Sequence, residues 1–544
     1  MPLCVYFNGF WSGFHECTNG VNVNFFIHLL EKVYTMKVEA TLHIEKAQIL
    51  VENTQVYNSK RTVKTWYHTY LFSGESYIRP DWKDYSCVLF GQRTHDNIVN
   101  CPLYLAYLES SFQGISSLQQ ASEPIVPPKQ QILVLISNPG GHVRNALCDR
   151  LEKEFDVVYA GNYKNTTGGA IKEYMTSPAF LDYVKQFRFV VAAENSQQET
   201  YITEKIIHPL LTHTIPIYWG SPRVLDYFNE DRILHMKDLS ELDSLVASIR
   251  KRMDSDEAWI QTVKQPPLTR FGELWSLDTI AQEIRTLLFF HEYPLLRRIY
   301  FLCNPDFEPA RYESLQAMCK KCNIPSNMIS FVCPTFKHTI TDKDMTHYVK
   351  GNKIYTLRRT PMKKAEVSLF LNWRAVLEEV EKRYSNPNDQ ICIFESDVFA
   401  LDNWRQLNKL LETLKGNLWS CVHIGGISNP TNEDPFHVGV LPYVSSELTN
   451  MDTLKQVVKD DCLTSSTLFR KFHTRCTDSF VFSVKGCVQL ANRLCQKDDY
   501  DVPFDYYFTQ FAVEDHSFKM YWSWPSYFDQ KSNRGLDAST IQSS

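Results

Sequence analysis

The chain has 544 residues, 44% of them apolar, 22% charged and 13% aromatic, with a formal net charge of −5. That length exceeds what one hydrophobic core supports and predicts roughly three or four domains. The mild acidity, with a pI near 6.4, offers no basic stripe and excludes nucleic acid and anionic membrane surfaces as expected partners.

No run of about 18 uncharged apolar residues predicts a membrane-spanning helix. The opening MPLCVYFNGFW lacks the basic start and apolar core of a secretory signal, so a complete chain is expected to be cytoplasmic. Fifteen cysteines, an odd number scattered without a dense framework, fit reduced thiols. Cys319, Cys322, Cys333 and His338 have spacing compatible with zinc. Yet the first two fall in a helix-like stretch and the third in a strand-like one, so buried thiols are the expectation.

In chain order, LCVYF predicts a first strand, VNFFIHLLEKV a helix and CVLFG a further strand. The polar, proline-bearing SSLQQASEPIVPPKQQ reads as a linker without regular structure. ILVLIS then predicts a buried parallel strand. RNALCDRLEKEF (helix), FDVVYAG (strand), FRFVVAA (strand), TEKIIHPLLTH (helix) and TIPIYWG (strand) follow, closing with the helical LDTIAQEIRTLLFFHEY. Alternation of this kind predicts a doubly wound α/β domain. A third block repeats it through RIYFLC, ARYESLQAMCKKC, ISFVCP, SLFLNWRAVLEEVEKRY and QICIFESDVF. The expected domains are 1–121, 130–293 and 297–544, with the last ten or so residues frayed.

Two loops at strand ends carry the chemistry. ENSQQETYITEK, residues 194–205, runs from a strand directly into a helix. Ligands of open α/β sheets sit at such strand ends, where helix N-termini favour anions. Thr203 is the expected N-cap. Lys205 falls in the first helical turn, an unfavourable place for a cation unless an anion binds there. From these residues alone, an incidental surface lysine is the favoured reading. In SNPGGHVRN, residues 137–145, Gly140 and Gly141 permit close backbone approach, and Arg144 offers a planar fork suited to phosphate. A solvated helix residue is the other reading.

ENSQQETYITEKIIHPLLTHTIPIYWGSP resembles the signature of the α1,3/1,4-fucosyltransferases, glycosyltransferase family 10, particularly the bacterial members. SNPGGHVRNA resembles that family's arginine-bearing loop, and the likeness extends over about the first 290 residues. It implies a GT-B pair of Rossmann-like domains, acceptor side first, and inverting transfer of fucose from GDP-fucose to a glycan hydroxyl, of α1,3 type. By the same resemblance Arg144 and Lys205 grip the pyrophosphate, Tyr201 and Glu204 hold the ribose, and Asn195 helps build the donor pocket, with no metal required. TYLFSGESYIRPDWKDYSCVLFG resembles the region bearing the catalytic base, which falls on Glu75, with Gly74 keeping the turn tight. Asn8, Gly9 and Trp11 are softer acceptor-site candidates.

The third block resembles family 25 glycosyltransferases through FESDVF, CTDSFVFSVKG, FDYYF and WPSYFDQKSNRG. That implies a GT-A-like α/β domain taking a second nucleotide sugar, with Glu395 and Asp397 holding Mn²⁺ or Mg²⁺ and Asp505 contributing as acid or base. Ser396 stands where that family usually has another acid, which leaves open a glycan-binding or scaffold role for the block.

Overall fold

Short runs of branched and aromatic residues form the strands, and most are buried on both faces, as parallel sheets require. A computed structural model describes residues 2–18, 20–92, 95–119, 125–349, 362–401, 404, 407–414, 419–425, 468–470, 478–495, 503–515, 517–523 and 527–530. The expected frayed terminus, and all of WPSYFDQKSNRG except Tyr527–Gln530, lie outside the described residues. The chain divides into two compact units, Met1–Leu288 and Phe289–Ser544.

The first unit opens with β1 (Leu3–Asn8), β2 (Val38–Ala40), β3 (Ile49–Asn53), β4 (His68–Phe72), β5 (Cys87–Phe90) and β6 (Ile98–Asn100). These form an all-parallel sheet of order β2-β1-β3-β4-β5-β6. The helix Val23–Tyr34 covers it, burying Phe25, Phe26, Leu29, Leu30 and Val33 on one stripe. A second parallel sheet contains β7 (Gln130–Val134), β8 (Val157–Tyr159), β9 (Phe187–Ala193), β10 (Ile215–Trp219) and β11 (Leu234–His235). Its order is β11-β10-β9-β7-β8. The chain steps from β7 to one side and then returns to the other, so the crevice between β7 and β9 is a topological switch point.

A 3-10 helix, Gly114–Gln119, runs into the start of the segment expected to be a structureless linker. Ser116 and Ser117 hydroxyls donate to the carbonyls of Gln113 and Gly114, and Leu118 is buried in the core. Local side-chain bonds and one apolar anchor thus extend regular structure into a polar stretch.

In the second unit lie β12 (Leu296–Leu302), β13 (Ile329–Phe331), β14 (Gln390–Glu395), β15 (Val398–Ala400), β16 (Cys421–His423), β17 (Leu468–Arg470), β18 (Ser479–Ser483), β19 (Met520–Ser523) and β20 (Phe528–Gln530). Seven of them make a mixed sheet of order β13-β12-β14-β18-β16-β19-β17, parallel at the β13-β12-β14 end and antiparallel across β14-β18. β15 and β20 form a separate antiparallel pair. Residues of β14 alternate between two cores: Ile391 and Ile393 face the helix Lys364–Arg383, while Cys392 and Phe394 pack with Cys319 and Cys322. Burial holds the Cys319 thiol up at about 12, and Cys333 bonds with Asn372 and Thr335. Cys319 and Cys322 are core thiols, as the sequence led us to expect, while Cys333 is half-buried.

Candidate functional site

The β9 strand runs without interruption into Glu194, whose N–H donates to the Trp219 carbonyl and whose side chain is fully buried. The following loop returns to start the helix Glu204–Leu211 at Thr203, the expected N-cap, whose Oγ1 accepts from Lys205 N at 3.4 Å. Thr203 donates twice to Glu194, from N to Oε1 and from Oγ1 to Oε2, each at 2.8 Å. Lys205 Nζ lies 3.2 Å from Glu194 Oε2, 3.1 Å from Thr203 Oγ1 and 3.5 Å from Glu204 Oε1. Burial alone would favour a neutral lysine, but the two carboxylates outweigh it and hold Lys205 above its ordinary pKa. Burial pushes the largely covered Glu204 up, but Lys205 outweighs it and keeps the carboxyl below the usual range. Burial pushes Glu194 up, against the pull of Lys205.

The β7 loop supplies the second cation. Gly141, at φ 112°, lets the chain turn into the helix His142–Glu152, and Arg144 sits in its first turn, almost wholly buried. Arg144 donates to Asn195 Oδ1 at 2.8 Å and to the carbonyls of Asn138, at 2.7 Å, and Gly140. Arg144 and Asn195, predicted in one pocket, are therefore joined directly. Tyr201 is nearly buried, with Lys205, Glu194, Glu75 and Glu204 close enough to bear on its hydroxyl, which burial raises well above its usual pKa. Four buried polar atoms on these two loops have no protein partner: Arg144 Nε, Asn145 Oδ1, Ser196 Oγ and Gln198 Oε1. Buried polar groups are normally paired, and these four are exceptions to that rule.

Across from these loops, Glu75 follows β4, half buried, and accepts from Gln55 Nε2 at 3.1 Å. The expected role of Gly74 does not hold: its backbone is outside the left-handed region, and a Cβ there would meet only ordinary contacts near 3.5 Å. Ser73 ties the turn instead, accepting from Glu75 N and donating to the Tyr77 carbonyl at 2.5 Å. Gln198 Nε2 donates to the Ser76 carbonyl, and Thr200 Oγ1 donates to Asn100 Oδ1 at 2.8 Å. The loop that carries Glu75 is thus fastened to the loop that leads into Tyr201 and Lys205.

Asn8, an acceptor candidate, is committed elsewhere: its amide donates to Glu52 at 2.6 Å. Glu52 is fully buried at the end of β3 and also accepts from Ser59 Oγ, Lys60 N and Tyr85 OH. Burial alone would raise it, yet those donors hold it below the usual range. This hub, which sequence reading missed, ties together the loops after β1 and β3. Gly9 belongs to the same junction, because a Cβ there would collide with Val56. Gly9 and Trp11 both stay exposed, Trp11 at 39%.

In the second unit, Glu395 ends β14 and Asp397 follows in the turn to β15. The amide of Gln530 donates to Glu395 Oε2 at 3.1 Å and to Asp397 Oδ1 at 3.3 Å. Ser396 bonds with Arg311 and Glu308 instead. As placed, the amide rather than a cation bridges the two carboxylates. Among the described residues, no group of three or more His, Cys, Asp or Glu gathers as metal ligands. Nothing among the described residues thus supports the expected Mn²⁺ or Mg²⁺ seat. Asp505 lies on the first turn of the helix Phe504–Glu514. A small cavity of about 60 Å³ opens beside Glu308, Cys333, Phe336, Asn372 and Ser396. Among the described residues, no helix is long and apolar enough to cross a membrane.

Residues 126–263 match the family described as glycosyltransferase family 10 (fucosyltransferase), C-terminal part. The α-(1,3)-fucosyltransferase FucT of Helicobacter pylori is 30% identical over 170 residues, covering 29% of this chain and 34% of that protein. GDP-fucose protein O-fucosyltransferase 3 of Xenopus laevis is 30% identical over 180 residues, covering 30% of this chain and 37% of that protein. The chain thus spans about a third of the length of these relatives. A crystal structure of an α1,3-fucosyltransferase with GDP-fucose aligns over 53% of this chain and 90% of its own, at 22% identity and a TM-score of 0.41.

Proposed function

We propose that the first unit is an inverting fucosyltransferase of GT-B type that takes fucose from GDP-fucose, with a glycan hydroxyl as acceptor and α1,3 linkage as the expected product. The observation that carries this reading is the pairing of Lys205 and Arg144 on adjacent strand-end loops at the β7/β9 switch point. Around them lie the buried polar atoms that no protein group satisfies. The match of residues 126–263 to a fucosyltransferase family supports the choice of donor.

In this mechanism Glu75 accepts the proton of the acceptor hydroxyl as its oxygen bonds to the anomeric carbon. The bond from that carbon to the β-phosphate breaks on the opposite face, so configuration inverts and GDP departs. Charge grows on the departing diphosphate, and Lys205 and Arg144 stabilise it where they already stand. Glu204 and Tyr201 hold the ribose, and Asn195 keeps the Arg144 fork in place. For the second unit, the Gln530 amide between Glu395 and Asp397 favours a binding or docking role over a second transfer reaction.

The test is a panel of nucleotide sugars, followed by thermal shift and by donor hydrolysis. GDP-fucose should stabilise the chain and be hydrolysed, and hydrolysis should survive Asp397→Ala. If another nucleotide sugar binds in its place, or none does, the proposal fails.

A further inference from the structure

We infer that Glu194 is the positioning residue for Lys205, the fixed anion that holds this ammonium where a diphosphate must meet it. The inference rests on the proposed donor site and names a residue to which that reading gives no role.

Three observations converge on Glu194. Its side chain is fully buried at the end of β9, where an unpaired carboxylate would be costly. Both of its oxygens are engaged, Oε1 by Thr203 N and Oε2 by Thr203 Oγ1 and Lys205 Nζ. The backbone has been cleared for it: a Cβ on Gly220 would lie 2.4 Å from Glu194 Cγ. Gly220 follows β10, the neighbour of β9, so the adjacent strand gives up a side chain to make room.

The arrangement explains how a lysine can stand in the first turn of a helix, where the dipole disfavours it. Glu194 and Glu204 flank the ammonium, and Thr203 supplies both the helix cap and a bridge to Glu194. Lys205 keeps 27% of its side-chain surface exposed. The carboxylate behind it is closed off, so the ammonium's open side is the one left for a ligand. Lysine is a flexible point charge with costly rotamer freedom, and anchoring it before binding removes that cost.

The test titrates GDP and inorganic pyrophosphate calorimetrically into the full chain carrying Glu194→Gln, Lys205→Met, or both. Glu194→Gln should weaken both ligands by about tenfold to a hundredfold, the range for a charge-assisted contact. The double variant should bind no worse than Lys205→Met, because one residue acts through the other. The donor KM should rise while the acceptor KM stays unchanged. Gly220→Ala, which drives the same carboxylate off its seat, gives a second route to the same loss if Glu194→Gln does not fold. Unchanged affinity in Glu194→Gln, or additive losses in the double variant, would overturn the inference. Wild-type protein that binds pyrophosphate but not GDP would sink the donor reading and leave this inference standing.

Discussion

Glu75 and Lys205 divide the proposed reaction between them, one moving a proton and the other stabilising a leaving group. Glu75→Gln is expected to lower kcat by on the order of 10²–10⁴, the usual worth of a general base, with GDP affinity and unfolding midpoint unchanged. His208, one helical turn after Glu204, is buried neutral, and burial lowers its pKa to about 4. The unfolded chain takes up that proton near pH 6.5, whereas the folded chain resists it down to about pH 4. Stability is therefore highest above that window and falls by about 3 kcal/mol across it on acidification, then levels off. Denaturant unfolding of His208→Gln between pH 7 and pH 4 should show a correspondingly flatter slope. Lys205 stood out because a cation at a helix start is locally anomalous and Arg144 because its fork suits phosphate, but it was the family resemblance that made both site candidates. Glu194 and Glu52 were not, because nothing in the sequence announces that an acid at a strand end is enclosed by residues distant in the chain.

The elements themselves were easier to read than the contacts between them. Every strand predicted from a short apolar run in the first unit is present, since parallel strands buried on both faces need such runs. Residues 116–119 read as linker because polar composition hides a turn closed by its own hydroxyls. Gly74, placed by resemblance in a tight turn, is dispensable there. Gly161 is not: a Cβ would stand 2.1 Å from the Ile136 carbonyl oxygen, where the chain leaving β8 crosses the end of β7. Gly161→Ala should cost about 1–3 kcal/mol of overpacking, read as a lower urea midpoint, whereas Gly74→Ala should leave the midpoint in place.

At the scale of the whole molecule, the chain's two units have separate cores, so thermal unfolding should resolve two transitions. GDP should raise only the transition belonging to the first unit, by about 2.7 kcal/mol at a hundredfold excess over Kd. The second unit shows why a motif is weaker than a constellation. FESDVF put two acids at a strand end, but sequence could not show that Gln530, far along the chain, would come between them. The central claim is most directly tested by incubating the full chain with GDP-fucose and a glycan panel in EDTA, and assigning the product's anomeric configuration by NMR. The account predicts a fucosylated product of configuration opposite to the donor, lost in Glu75→Gln. Retained configuration, or a product formed equally well by that variant, would contradict it.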